Sequence, residues 1–319
     1  MTPIESITMS PLNNTLPHLI ERNCLTDAGL ETWLIFQKGF ELREFASFEL
    51  LATAQGLALF DEYYQAFLKM ATQNDMGCVL ETPTWRAGPD WGEKLGYSWQ
   101  QLCDINRQAV SYLDNLRKNA PQPGLVFISG NLGPRGDGYD PGTIMSVSEA
   151  QEYHTLQIDA LTQGRCDLIT ALTMTNMPEA MGIVRAAKET DIPCVISFTL
   201  ETDGNLPSGQ SLKDAITEMD AADLTKPAYY MINCAHPDHF AHVLKKEGDW
   251  TSRIKGLRAN ASRMSHAELD VAEELDDGDP EELGCLYRDL SALLPDLRIV
   301  GGCCGTDHRH VQQMSEAMK

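Results

Sequence analysis

The chain has 319 residues, 43% of them hydrophobic, enough to bury a large core and too many for general disorder. Its 46 acidic residues against 25 basic give a net charge of −21, a field that repels nucleic-acid phosphates and anionic membrane surfaces. No apolar run approaches the roughly 20 residues of a membrane span, and the start, M-T-P-I-E-S-I-T-M-S-P-L, lacks the basic-then-apolar pattern of a signal peptide.

Short apolar, β-branched segments recur along the chain, each followed by material of helical period. They end near Asp27 (N-C-L-T-D), Glu81 (G-C-V-L-E-T), Gly130 (L-V-F-I-S-G-N) and Thr173 (C-D-L-I-T-A-L-T). Four more end near Thr199 (P-C-V-I-S-F-T), Cys234 (A-Y-Y-M-I-N-C), Asn260 (I-K-G-L-R-A-N) and Cys303 (L-R-I-V-G-G-C). Eight strand–helix units imply parallel strands and suit a closed (β/α)₈ TIM barrel, a single domain over residues 1–319, with its active site at the C-terminal strand ends. An open doubly wound sheet fits less well, because the unusual polar residues and cysteines cluster at strand ends rather than strand starts.

Between the strands, residues 44–71 read as helical material broken near Gly56, and residues 148–163 as a helix capped by Ser148 with Gly164 just past its end. Segment 131–142, N-L-G-P-R-G-D-G-Y-D-P-G, reads as a loop above the third strand. The acidic run 267–282 reads as a solvated helix end and loop, since its spacing matches no calcium loop. His236, His239 and His242 recur every third residue and read as a solvated or capping face.

Nine cysteines, an odd number scattered over a long chain, argue against an extracellular disulfide framework and for a reducing cytoplasm. Cys303 and Cys304 stand side by side in G-G-C-C-G-T, and Cys234 ends another apolar run 69 positions upstream. Adjacent cysteines bond to each other with difficulty, because a disulfide needs Cα atoms about 4.4–6.8 Å apart with suitably directed side chains. Three soft sulfur ligands for one Zn2+ are the better reading, and a tetrahedral ion so held keeps one position open. The other six, Cys24, Cys78, Cys103, Cys166, Cys194 and Cys285, read as ordinary packing residues. Trp85, at the end of the second strand, is either a face for a cationic ligand or a core residue; Trp33 reads as core.

With the barrel and the cysteine trio in place, the chain resembles the zinc-dependent homocysteine S-methyltransferase family over nearly its whole length. The residues that carry the resemblance are G-G-C-C-G-T at 301–306 followed by His310, N-C-A at 233–235, E-T-P-T-W at 81–85, N-R-Q-A-V at 106–110, S-G-N-L-G-P at 129–134 and P-C-V-I-S-F-T at 193–199. The paired cysteines are highly specific, while the other blocks gain weight from their order.

The resemblance implies zinc on Cys234, Cys303 and Cys304, a thiol acceptor as the incoming ligand, and direct in-line methyl transfer from a small-molecule donor. A sulfonium such as S-methylmethionine or S-adenosylmethionine is the expected donor. A methylated amine such as betaine, a corrinoid protein, or a barrel that binds zinc and thiol without turnover are the alternatives. T-D-A-G-L at 26–30 is similar to the segment that grips the substrate amino acid, which assigns that role to Asp27 and the nearby backbone, Gly29 included. Three departures stand out. Ala28 replaces a common glycine, Pro83 replaces a common asparagine, and Met174 falls where a glutamate usually binds the substrate amino group. The short stretch after the cysteine pair leaves no room for the assembly arm of the betaine-using members, so a monomer or dimer is expected, acting in the cytoplasm without nucleic-acid or membrane partners.

Overall fold

A computed structural model of the chain describes residues 21–222, 225–245 and 248–319. The N-terminal segment read above for a signal peptide lies outside the described residues. Eight parallel strands close into one barrel in sequence order: β1 Cys24–Thr26, β2 Gly77–Glu81, β3 Val126–Leu132, β4 Leu168–Met174, β5 Cys194–Phe198, β6 Tyr229–Asn233, β7 Ile254–Ala259 and β8 Ile299–Gly302. Each anticipated strand is present, and the polar or cysteine residue read at its end lies within two positions of the observed boundary. The seam is short, because β1 has three residues and meets β8 only through Cys24↔Ile299 and Leu25↔Val300.

Helices follow the strands in turn: α1 Ala54–Gln73, α2 Trp99–Lys118, α3 Val147–Gln163, α4 Met177–Glu189, α5 Leu212–Ala222, α6 Pro237–Leu244, α7 Pro280–Leu293 and α8 His308–Ala317. Side chains alternate across the strands with period two. One set packs outward against the helices as the main core. The other points inward, where Cys24, Val79, Phe127, Leu168, Val195 and Ile299 form an apolar layer with Tyr229 and Met231. No helix among the described residues is long and apolar enough to cross a membrane.

Two local readings are corrected. The break in 44–71 falls at Thr53, not Gly56: short 3₁₀ turns at Arg43–Phe45 and Ser47–Ala52 give way to α1, and the Thr53 side chain accepts the Gly56 N–H at 3.0 Å. Gly56 sits in the first turn of α1 because a Cβ there would lie 2.2 Å from the Leu50 carbonyl oxygen. The cap of α3 is Ser146 rather than Ser148. Ser146 and Glu149 exchange hydrogen bonds with each other's backbone N–H, a reciprocal pair that starts the helix earlier and leaves Ser148 inside it.

Gly56→Ala is expected to cost about 1–3 kcal/mol through overpacking against the 3₁₀ turn. Urea unfolding should show a lower midpoint with an unchanged slope.

Candidate functional site

Above the apolar floor of the barrel, the next inward layer is polar. Thr26, Glu81, Ser129, Thr170, Ser197 and Arg258 occupy it, all buried. Ser129 and Thr170 share a 2.7 Å hydrogen bond, and Glu81 lies against both hydroxyls. Arg258 is the charged centre of this layer. It reaches from β7 across β8 to β1, donating to the Thr26 hydroxyl and, at 3.1 Å, to the Ala28 carbonyl, and it faces the Asp27 carboxylate. Gly301, the β8 register partner of Arg258, leaves β1 close by: an added Cβ there would meet the Asp27 carbonyl oxygen and the Thr26 methyl at 2.5 Å.

Burial acts against the Arg258 cation, but the opposing charge of Asp27 outweighs it and holds the guanidinium charged. Burial likewise pushes the Asp27 carboxyl up while Arg258 pulls it back. Burial also lifts the Glu81 carboxyl, from its usual 4.5 to about 8 even with Arg258 opposing. Glu81 is therefore largely uncharged at neutral pH.

One layer higher, at the strand ends, the three cysteines meet. The sulfurs of Cys234, Cys303 and Cys304 all lie within 4.8 Å of one another, the one such gathering of metal-ligating side chains among the described residues. Cys234 and Cys304 are 3.5 Å apart. Cys303 is held well below the ordinary thiol range because the Cys234 and Cys304 thiols direct hydrogen bonds to it, with Arg258 adding to the effect.

Cys234 has a left-handed backbone, φ +54°, which a residue with a side chain adopts at a cost. Several bonds hold it there. Its N–H donates to the Arg258 carbonyl at 3.0 Å, and its carbonyl meets His266 Nε2 at 2.9 Å. The neighbouring Asn233 is locked by the Thr173 N–H, the Thr173 hydroxyl and the Ser197 hydroxyl at 2.7–2.9 Å. Tyr139, from the loop after β3, stacks its ring on His266 at 3.9 Å and brings its hydroxyl 3.1 Å from the Cys234 sulfur.

The sulfurs open onto a cavity of about 460 Å³ at the C-terminal end of the barrel. Asp27, Gly29 and Trp85, singled out from the sequence, all line it. Asp27, however, faces Arg258, and the Trp85 ring already carries the Arg86 guanidinium 4.1 Å from its centre, the same guanidinium lying 3.6 Å from the Trp91 ring centre. Met174 does not face the cavity. It is fully buried in the outer core opposite Phe198, and β4 presents Leu172 and Thr173 instead. The acidic run is only partly a solvated surface. It holds a short helix, His266–Asp270, and Leu269, Asp270, Glu274 and Asp276 form one wall of the cavity mouth.

Trp33 packs in the core against Tyr63. The three histidines after Cys234 serve the backbone: His236 caps α6, His239 meets the Arg263 carbonyl and His242 the Asp203 carbonyl. His310 joins Asp307 in the cap of α8 and reaches the Asp277 carbonyl at 2.8 Å. The residues missed from the sequence are Arg258, Tyr139 and His266. Arg258, a charge interrupting the apolar run I-K-G-L-R-A-N, was the one signal available.

A family model described as homocysteine S-methyltransferase matches residues 24–318. The homocysteine methyltransferase MmuM from Escherichia coli is similar in structure. Its oxidised form aligns with a TM-score of 0.75 at 20% identity, over 98% of this chain and 100% of that one. Its metallated form aligns with a TM-score of 0.71 at 18% identity, over 92% and 96%. At these identities the likeness shows the shared barrel.

Because the Glu81 carboxyl is raised in the folded state, its stabilising contribution is full below pH 4.5 and is lost as pH rises through about 8. Over that window wild type should lose stability relative to Glu81→Gln, by up to about 1.4 kcal/mol per pH unit. Urea midpoints measured from pH 5 to 9 would show the two proteins converging at the acid end.

Proposed function

The chain belongs to the homocysteine S-methyltransferase family, and from that premise we propose that it moves a methyl group from a sulfonium donor to the thiol of homocysteine, forming methionine, with zinc held by Cys234, Cys303 and Cys304. The family makes the chain a methyltransferase; the metal, the donor and the residue roles are our reading. The observation that carries it is the convergence of three sulfurs, just past the ends of β6 and β8, on one cavity. Thiolates around one tetrahedral zinc lie about 3.8 Å apart, and the observed spread, 3.5 Å for Cys234 to Cys304 and at most 4.8 Å overall, fits that donor set.

Zinc bound there would keep the incoming sulfur a thiolate at neutral pH, where a free thiol is mostly protonated. The chain's own residues supply the rest. Asn233 and His266 fix the backbone that aims Cys234, and Tyr139 borders the place where the acceptor sulfur enters. The acceptor thiol would release its proton to solvent on binding. Its sulfur attacks the donor methyl carbon as the carbon–sulfur bond on the far side breaks, and the donor leaves as a neutral thioether. The protein contributes no covalent nucleophile. Holding the two sulfurs in line is the main catalytic lever, worth up to about 7–11 kcal/mol in well-oriented systems.

The mouth favours a cationic donor. Asp137, Asp270 and Glu274 stand exposed around it, while Ile35, Phe36 and Phe45 provide apolar surface. The carboxylates draw in a sulfonium, and the apolar side chains exclude water from the reacting carbon.

Methionine formation from homocysteine should require zinc and proceed with S-methylmethionine or S-adenosylmethionine ahead of betaine. Replacing Cys234, Cys303 or Cys304 with serine should lower bound zinc, measured by elemental analysis, and cut turnover by at least about a hundredfold. Zinc-loaded wild type that produces no methionine from any of these donors would overturn the reading.

A further inference from the structure

The acceptor needs a grip for the end opposite its sulfur, and β4 offers none: Leu172 and Thr173 carry no charge, and Met174 points away. Of the carboxylates that line the cavity, Asp137, Asp270 and Glu274 are exposed at the mouth, and Asp27 is taken by Arg258. Glu31 accepts a 2.7 Å hydrogen bond from Ser47, and Asp276 accepts one from Ser262 at 2.6 Å. Glu81 has the Ser129 and Thr170 hydroxyls beside it but keeps one oxygen unengaged. It is 4% exposed, and its Oε2 has no hydrogen-bond partner. Asn131 Oδ1 and Arg258 Nε are among the other buried cavity-wall atoms without hydrogen-bond partners, along with Arg86 Nε and with Asp27 Oδ1, which faces Arg258.

Unmet buried groups of this kind are costly and rare without a reason. Their chemistry is complementary to one kind of molecule. Glu81 and Asn131 offer acceptors for an ammonium, while Arg258 Nε offers a donor for a carboxylate. Glu81, Asn131 and Arg258 line the same cavity of about 460 Å³ as Cys234, Cys303 and Cys304, so a molecule bound at the sulfurs shares its space with this polar layer.

We propose that Glu81, with Asn131 and Arg258, grips the zwitterionic amino-acid end of the acceptor thiol and is the residue that selects an amino thiol over a plain one. This rests on the thiol-methylating reading above. Arg258 and Asp27 offset each other, and burial keeps Glu81 largely protonated. An arriving ammonium favours ionisation of Glu81, whose proton leaves to solvent, while the acceptor's carboxylate meets Arg258.

The test compares wild type, Glu81→Gln, Glu81→Asp and Glu31→Gln, each checked for zinc content and melting temperature. Two acceptors are used: L-homocysteine and γ-mercaptobutyrate, the same thiol without its amine. The readout is the ratio of kcat/KM for the two. A second readout independent of turnover is thiol binding to the cobalt(II)-substituted protein, followed through the sulfur-to-metal absorption band. Wild type should prefer homocysteine by about a hundredfold, because an unmet buried partner penalises the analogue. Glu81→Gln should lose at least about tenfold of that preference at unchanged zinc content, Glu81→Asp should restore part of it, and Glu31→Gln should keep it.

Full preference in Glu81→Gln, or its loss in Glu31→Gln instead, would overturn the assignment. If wild type binds homocysteine in the cobalt assay and Glu81→Gln weakens that binding alone, yet no methyl is transferred, the grip stands and the proposed reaction falls. Equal binding of the two thiols by wild type would remove the grip whatever the turnover.

Discussion

A guanidinium sealed inside a barrel is the constraint around which this structure is arranged. Arg258 is 4% exposed, and such a charge survives only if its partners are brought to it. Asp27, Thr26 and the Ala28 carbonyl do this, all from the short strand β1 and the residues just beyond it. Removing one partner of a buried pair costs about 3–5 kcal/mol, a large part of the roughly 5–15 kcal/mol that hold a typical domain together. The pairing therefore positions the end of β1 against β8 where the ladder itself supplies only two residue pairs.

That closure places the chemistry. Cys303 and Cys304 follow β8 directly, and the N–H of Cys303 donates to the Ala259 carbonyl at 2.8 Å, so the pair is registered on β7. Cys234 is brought to them by a left-handed turn whose cost is met by the bonds on both sides of it. Asn233 ties this turn to a second left-handed residue, Thr173, φ +64°, on the cavity side of β4. Two strained positions thus share one amide, which makes the sulfur geometry a property of the barrel rather than of a loop.

Much of this was legible in the chain. The eight apolar runs, the polar residue closing each, and the adjacent cysteines after a glycine pair led to the barrel and to the trio that meets within it. What sequence reasoning missed depends on which way a side chain points. A one-residue step turns it from the cavity to the outer core, and that step separates Met174, which packs on Phe198, from Thr173, which lines the site. Asp27 was placed in the site, but nothing near it in the chain reveals that a residue more than two hundred positions away claims its charge. Tyr139 sat inside a segment read only as glycine-rich loop. Its position over the sulfurs comes from stacking on His266, one residue before the run read as solvated acid.

The crossing of Arg258 over Gly301 has a consequence for how such a sequence is able to change. Thr26, Asp27, Arg258 and Gly301 lie on or beside three separate strands, yet each is tolerable only while the others remain. Losing the acid strands a cation, losing the cation strands an acid, and any bulk at 301 collides with the end of β1 that carries Thr26 and Asp27. Descendants of this chain should therefore keep or exchange the four as a block, and a lineage that has drifted to an uncharged interior must have passed through an intermediate that shed both charges nearly together.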